Sequence, residues 1–408
     1  MGQNTGEVGD RRNGVRRRQF VAATGVATVG VLAGCLGNGG NGSGDGEEVG
    51  GNGNGDANGG GDRVVDAEPG GEPVDSTAVS WDDLGDLEGQ ITIYSGRTRD
   101  QIDPVFEALE AEYDGLDIEL FYDDNDVQVN QILQEGEATV ADLMYSQDPG
   151  ALNELEANDA LQELPTDVVD AVPASYRHPD GLWTGVTGRT RSIIYNSDRL
   201  DETGLEDWEE LPTDIMAFDT DDRLQGVIST RPNSGTFRGF IQAMVELEGE
   251  PETREWVRGM IDHQDVQLFS GGSSQAEAIN RGGDDDPVVG LGNSYYAARI
   301  LNEDPDAPIR TTHTENDAGC LFSVAGVGVM NQVDDPELVA EFVRHLLAAE
   351  GQEFMMDANG EYPVVEGIDY VGPLPDLTEI NPPEFDLSSF DMELQDAQDL
   401  LTEEGMTV

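Results

Sequence analysis

The sequence predicts an α/β protein folded as two lobes that are linked by crossing strands. Three observations lead there. Strand-like alternation and helical spacing follow one another from residue 90 onwards, two long β-type runs stand far apart in the chain, and the stretch from Trp81 to Val408 is long enough for two domains. Residues 90–94 read as a strand, and residues 101–113 carry Ile102, Val105, Phe106 and Leu109 at helical spacing. Residues 117–122 alternate as a second strand, 127–133 form a helix, 141–145 a third strand, and a further helix opens at Asp148, which is placed to cap it. Strand, helix, strand, helix implies parallel pairing with binding positions at the strands' C-terminal ends. Ser95-Gly96-Arg97 and Ser146-Gln147-Asp148 lie at such ends.

The run from Trp183 through Tyr195-Asn196 is long enough to cross from one lobe to the other, and residues 324–330 read as a second crossing strand. Between them, Asn233-Ser234-Gly235-Thr236 opens a helix through Phe240 and Met244, and its first backbone N–H groups make an anion site. Helices are expected near 253–262 and 273–280, and residues 336–355 read as one amphipathic helix on Leu338, Val339, Phe342, Val343, Leu346 and Leu347. From Pro373 the chain is rich in Pro and Asp and ends in one helix; no internal repeat is present.

The N-terminal part reads as targeting sequence. Arg17-Arg18-Gln19-Phe20-Val21 has the form of a twin-arginine export signal, followed by an apolar stretch to Gly34 that is shorter than the roughly 20 residues needed to span a bilayer. It ends in Leu32-Ala33-Gly34-Cys35, which resembles a lipobox. Residues 1–34 are therefore expected to be a signal peptide, with Cys35 receiving lipid. Residues 35–80, dominated by Gly, Asn, Asp and Glu, have the composition of a disordered acidic tether.

The formal net charge is −63. Without residues 1–34, where five arginines face Glu7 and Asp10, it is about −66, and every basic side chain in the chain is Arg. Such self-repulsion is screened at molar salt, where the Debye length is about 3 Å. On these grounds the composition resembles that of haloarchaeal surface proteins. No basic patch offers itself to nucleic acid. Cys35 is assigned to lipid, so Cys320 stands alone among apolar neighbours, and the reading is a buried thiol with no disulfide. His178, His263, His313 and His345 are scattered without ligand spacing, and Asp284-Asp285-Asp286-Pro287 reads as a charged turn rather than a cation site. No nucleophile–base pair or metal-hydrolase motif appears, so an enzyme is not expected.

Residues 289–296 end in Tyr295-Tyr296, two adjacent phenols between a short apolar strand and a helix start, with a break at Asn293-Ser294. Neighbours on a regular strand point to opposite faces, so the break is what lets both rings converge. Phenolate is a hard anionic oxygen donor suited to a trivalent cation. Ordinary aromatic packing at a helix start is the competing reading.

Taken with Tyr94-Ser95-Gly96-Arg97, Asp142 to Asp148, Gly188-Arg189-Thr190-Arg191, Asn233 to Thr236, Asp317-Ala318-Gly319 and Glu361-Tyr362-Pro363-Val364, the chain from about Ile91 onward resembles extracellular solute-binding proteins of ABC importers, in the ferric-ion-binding branch. That resemblance implies a type II periplasmic-binding-protein-like fold with mixed sheets and two crossing hinge strands. It implies one lobe from 81–190 plus 322–370 and another from 191–321 plus 371–408. It implies ferric iron held by Tyr295, Tyr296 and a third phenolate from Tyr195, beside carbonate or a similar anion held by Arg97, Arg189 and the Ser234-Gly235-Thr236 turn. Thr98 and Gln147 stand where many family members place a His and a Glu ligand. The implied partner is an ABC permease, the protein being a monomer tethered by its lipid alone; a related protein for a ferric chelate, thiamine or an oxyanion is the alternative.

Overall fold

A computed structural model describes residues 78–383, 392 and 394–407. Arg17, Arg18, Cys35 and most of the expected tether lie outside the described residues. Among the described residues, no helix is long and apolar enough to cross a membrane.

The first lobe opens with β1 (Gly89–Ser95), α1 (Arg99–Glu112), β2 (Leu116–Tyr122), α2 (Asn125–Glu135), β3 (Leu143–Ser146), α3 (Pro149–Ala157) and α4 (Thr166–Asp170). β1 pairs in parallel with β2 and β3, and its residues 91–95, which alternate between its two faces, are all buried. β4 (Trp183–Asn196) then enters the second lobe, which holds β5 (Ile228–Thr230), α5 (Gly235–Glu248), α6 (Glu250–Asp262), β6 (Gln267–Leu268), α7 (Gly272–Arg281), β7 (Val289–Asn293), α8 (Ser294–Glu303) and β8 (Ile309–Thr312). The chain returns through β9 (Phe322–Val329), α9 (Pro336–Leu347), α10 (Ala349–Asn359) and β10 (Tyr362–Pro363), and α11 (Leu394–Glu403) lies at the end.

β4 joins the two halves. All 14 of its residues are buried. Its first part runs antiparallel to β9 and β10, and its last part, from Arg191, runs antiparallel to β7 and β8. The result is one mixed sheet in the order β2-β1-β3-β9-β4-β7-β5-β6. β9 stays beside the first part of β4 and pairs with β3 on its other edge. The return crossing is therefore made just before it, by the segment around Asp317, whose carboxylate accepts from the backbone N–H of Ile215 (2.7 Å) and Gly319 (2.8 Å) and from the Thr314 hydroxyl. Two glycines allow the tight contact of β4 with β9. A Cβ at Gly188 would lie 1.9 Å from the Phe322 ring, and one at Gly326 would lie 2.7 Å from the Thr184 carbonyl oxygen.

Each lobe has its own core. Ile93, Phe106, Leu143, Val327 and Phe342 belong to the first, and Phe218, Phe240, Met244, Trp256 and Val289 to the second. The segment 371–408, expected with the second lobe, is divided: Leu374 and Ile380 pack into the first core, and Ala397, Leu400, Leu401 and Met406 into the second. The single helix expected over residues 336–355 is two. Ala348 is extended, and the carbonyls that close α9 are taken by side chains: Trp81 Nε1 donates to His345 O (2.8 Å) and Gln352 Nε2 to Leu346 O (2.9 Å). Apolar spacing continues through the break, which is why the pattern hid it.

Cys320 is buried, and burial raises its thiol pKa. Asp286 closes its turn by accepting from Gly283 N–H (2.7 Å) and pairing with Arg281 (2.6 Å). Trp256 is fully buried edge-on to Phe240 and donates to Ile215 O (2.9 Å). Trp256→Ala should cost about 3–5 kcal/mol, read as a lowered urea midpoint.

Candidate functional site

The tyrosine pair is built as its sequence suggests. β7 ends at Asn293, which leads straight into α8, so Tyr295 and Tyr296 lie in the first helical turn. Their ring centroids are 4.2 Å apart at a tilt of 38°. Tyr296 lies over the start of α7, where a Cβ on Gly272 would be 2.2 Å from its ring. Its hydroxyl accepts from Arg231 Nη1 (3.2 Å). Arg299, one turn along α8, lies 5.4 Å from the Tyr295 ring centre and donates to Asn359 Oδ1 (3.3 Å) at the end of α10 in the first lobe. Burial first, and then its neighbour Tyr295, push the Tyr296 phenol well above its ordinary value, and Arg231 opposes that. Tyr296 is therefore held in its protonated form.

Tyr195 is not with them. In the β4–β7 ladder Arg191 pairs with Asn293 and Tyr195 with Val289. At about 3.3 Å per residue, four residues of strand put Tyr195 roughly 13 Å along β4 from the end that presents the pair. It is 5% exposed within the second core, and burial pushes its phenol up to about 12. Two of the three expected phenols are thus brought together; Tyr195 shares a face of β4 with Arg191 but lies farther along the strand, inside the second core.

Arg97 and Arg189 meet around Glu361, a side chain whose part in the site no local motif announces. Glu361, 1% exposed, accepts from Arg97 Nη2 (2.9 Å) and Thr187 Oγ1 (2.7 Å), and its other oxygen is 4.0 Å from Arg189 Nη1. Burial opposes the charge on Glu361, but Arg97 and Arg189 together outweigh it and hold the carboxyl below its usual range. Burial likewise opposes the charge on Arg97, and Glu361 overcomes it. Arg189 also donates to the Gln147 carbonyl. Gln147 Nε2 donates to Gly96 O, and Thr98 N–H to Gln101 Oε1 (2.9 Å), so both positions that depart from the family's ligand pattern have structural bonds here.

Arg189, Gly235 and Thr236 line a cavity of about 610 Å³ between the lobes, with Arg191, Arg238, Asn293, Gln242 and Ser323. Ser234 caps α5 by accepting from Phe237 N–H (3.1 Å), and Asn293 Nδ2 donates to Thr236 Oγ1 (3.1 Å). Asp148 caps α3 as expected, through Gly150 N–H (3.0 Å), and faces the start of α5 across the cleft. Arg97 does not line this cavity. The expected ligand set omits Arg231, Arg299, Arg191 and Glu361; residue type alone does not mark them among so many charged side chains. Among the described residues, no three of His, Cys, Asp or Glu converge as a metal site, and neither Tyr295 nor Tyr296 lines this cavity.

Two lobes on a shared strand, with side chains from both facing one cleft, define a solute-binding protein of the type II periplasmic class. The chain belongs to the bacterial extracellular solute-binding proteins, whose family model matches residues 138–385. It is 26% identical over 289 residues to iron uptake protein A2 of Synechocystis sp., covering 68% of this chain and 79% of that protein. It is 25% identical over 285 residues to the major ferric iron-binding protein of Neisseria meningitidis, covering 67% and 80%. The crystal structure of iron-bound HitA from Pseudomonas aeruginosa superposes with a TM-score of 0.68 at 24% identity, covering 78% of this chain and 99% of that one. The family is one of solute-binding proteins rather than enzymes, as the sequence led one to expect.

Glu361→Gln should leave two buried guanidinium groups without their counter-charge, at a cost of about 3–5 kcal/mol. Because the folded pKa of Glu361 is depressed, its contribution is fully present above the ordinary glutamate pKa of about 4.3 and is lost as pH falls through the lower folded value. Denaturation curves at pH 7 and between pH 5 and 3 should therefore show a weaker variant with a shallower acid decline.

Proposed function

We propose that this protein captures ferric iron between its lobes and delivers it to an ABC permease. Tyr295 and Tyr296 are the protein ligands, and an anion from solution completes the coordination. The observation that carries this reading is the pair of adjoining, mutually tilted phenols at the β7–α8 junction with Arg231 on one hydroxyl. The relatives named for iron and ferric iron support it. Two phenolates cancel two of the three charges on Fe³⁺, so the anion supplies the rest, and Arg189 with the Ser234-Gly235-Thr236 turn is where carbonate or a similar anion is held. Arg97 acts through Glu361 and its field at Tyr295 rather than as an anion ligand.

In the same proposal, Arg17 and Arg18 direct export through the twin-arginine route, Cys35 carries the lipid, and a monomer works at the outer face of the membrane. A saline, haloarchaeal setting accounts for the charge of −63. Binding must expel both phenolic protons, so affinity falls as pH falls.

The test is titration of the chain with ferric ion and bicarbonate, followed by the visible tyrosinate band. A red-orange band is expected, with Tyr296→Phe weakening binding by about 100-fold or more, near 2.7 kcal/mol. Tyr195→Phe should leave the band in place. An equally strong band in the double variant of Tyr295 and Tyr296 to Phe would remove these residues as ligands.

A further inference from the structure

The carboxylates that line the cleft cavity all belong to the first lobe. Asp126 stands in the first turn of α2, Asp148 caps α3, and Glu154 lies within α3. The arginine that faces them, Arg238, is on α5 of the second lobe. Its Nη2 lies 3.9 Å from Asp126 Oδ2, so the contact spans the cleft. Among the described residues this is the one ion pair that Arg238 makes, and its Nε is buried without a hydrogen-bond partner. No carboxylate of its own lobe therefore holds the Arg238 guanidinium. The pair is open to solvent, with the Asp126 side chain 64% exposed, and such pairs add little to the stability of a fold. Its place between two bodies gives it a different effect.

The same division of charge extends to either side of the pair. Burial, and then Asp123 and Asp126, raise the Asp124 carboxyl at the start of α2, while Arg231 and Arg238 of the second lobe oppose the rise. Asp148 Oδ2 would lie 3.8 Å from a Cβ on Gly235, the first residue of α5, where the helix dipole presents its positive end. One jaw thus offers acids along the starts of α2 and α3, and the other offers Arg231, Arg238 and the start of α5. Attraction between the jaws counts in full when the lobes are together and is lost when they part, so it shifts the balance between the two arrangements even where it adds little to folding. The acids of α2 also repel one another, and only the approach of the second lobe relieves them.

We propose that Asp126 and Arg238 form a clasp across the cleft, through which the acids of α2 draw the second lobe down over the solute. The inference rests on the cleft being the solute site, and its test reads lobe closure directly. Spin labels are placed on Gln134→Cys in α2 and Asp396→Cys in α11, two exposed positions on opposite lobes, each one turn or less from a residue that lines the cavity. Their separation is measured in the metal-free chain at molar KCl. Arg238→Glu should move the distribution to longer distances, Asp126→Arg should do the same, and the double exchange of Asp126→Arg with Arg238→Glu should bring it back. Arg238→Gln, which removes attraction without adding repulsion, should open the lobes by a smaller amount. Ferric affinity with bicarbonate should fall about 10-fold in Arg238→Glu, near 1.4 kcal/mol, and recover in the exchange. Unchanged distances in both single reversals would overturn the clasp. Failure of the exchange to restore the distance and the affinity would overturn it too, and would assign Arg238 to the solute alone. Loss of the ferric reading would appear as a missing tyrosinate band in wild type and leave the distances to decide this proposal by themselves.

Discussion

Every part of this molecule is referred to one strand. β4 carries the ladder of the first lobe on its first residues and that of the second on its last, with no exposed position between. A shift of one residue would turn every side chain to the opposite face in both lobes at once, so register is doubly determined. This fixes what can face the cleft. Arg189 and Arg191 sit where the strand passes from one lobe to the other, and Tyr195 is already inside the second lobe. The geometry of the strand, more than the chemistry of its residues, decides which of them can meet a solute.

Charge in the cleft follows a different rule from charge on the surface. The chain is overwhelmingly acidic, with 84 Asp and Glu against 21 Arg. The cleft is balanced: Arg189, Arg191 and Arg238 line it with Asp126, Asp148 and Glu154, and Glu361 is the buried acid that lets Arg97 and Arg189 coexist. An acidic protein thereby keeps buried arginines beside its cleft. Guanidinium suits this role because it keeps its charge when desolvated: burial pushes even Arg191 down only to about 9.

Much of the fold was legible in the sequence because burial leaves a periodic trace. The strand at β1, the helix at α1 and the long β4 all came from spacing, and the cap at Asp148 and the break at Asn293 came from turn chemistry. What was not legible was what no local pattern records. Trp81 and Gln352, far apart in the chain, end α9, and the helical pattern runs on regardless. Tyr195 has the same residue type and strand setting whether it faces core or cleft, and the ladder alone tells which. Glu361 lies 264 residues from Arg97, so their pairing left no mark in either segment.

The folded body begins against the first lobe. Val79 O accepts from Ala349 N–H (2.9 Å), Ser80 and Trp81 bond to Glu350, and the Trp81 ring stacks on Phe354 at 5.9 Å. Any pull on the chain from before residue 78 is therefore delivered to the α9–α10 junction, not to β4. Were the chain tethered there, as proposed, the first lobe would be the fixed arm of the jaw, with Arg97 and Glu361 on it, and the second the swinging arm, with the tyrosines and Arg231.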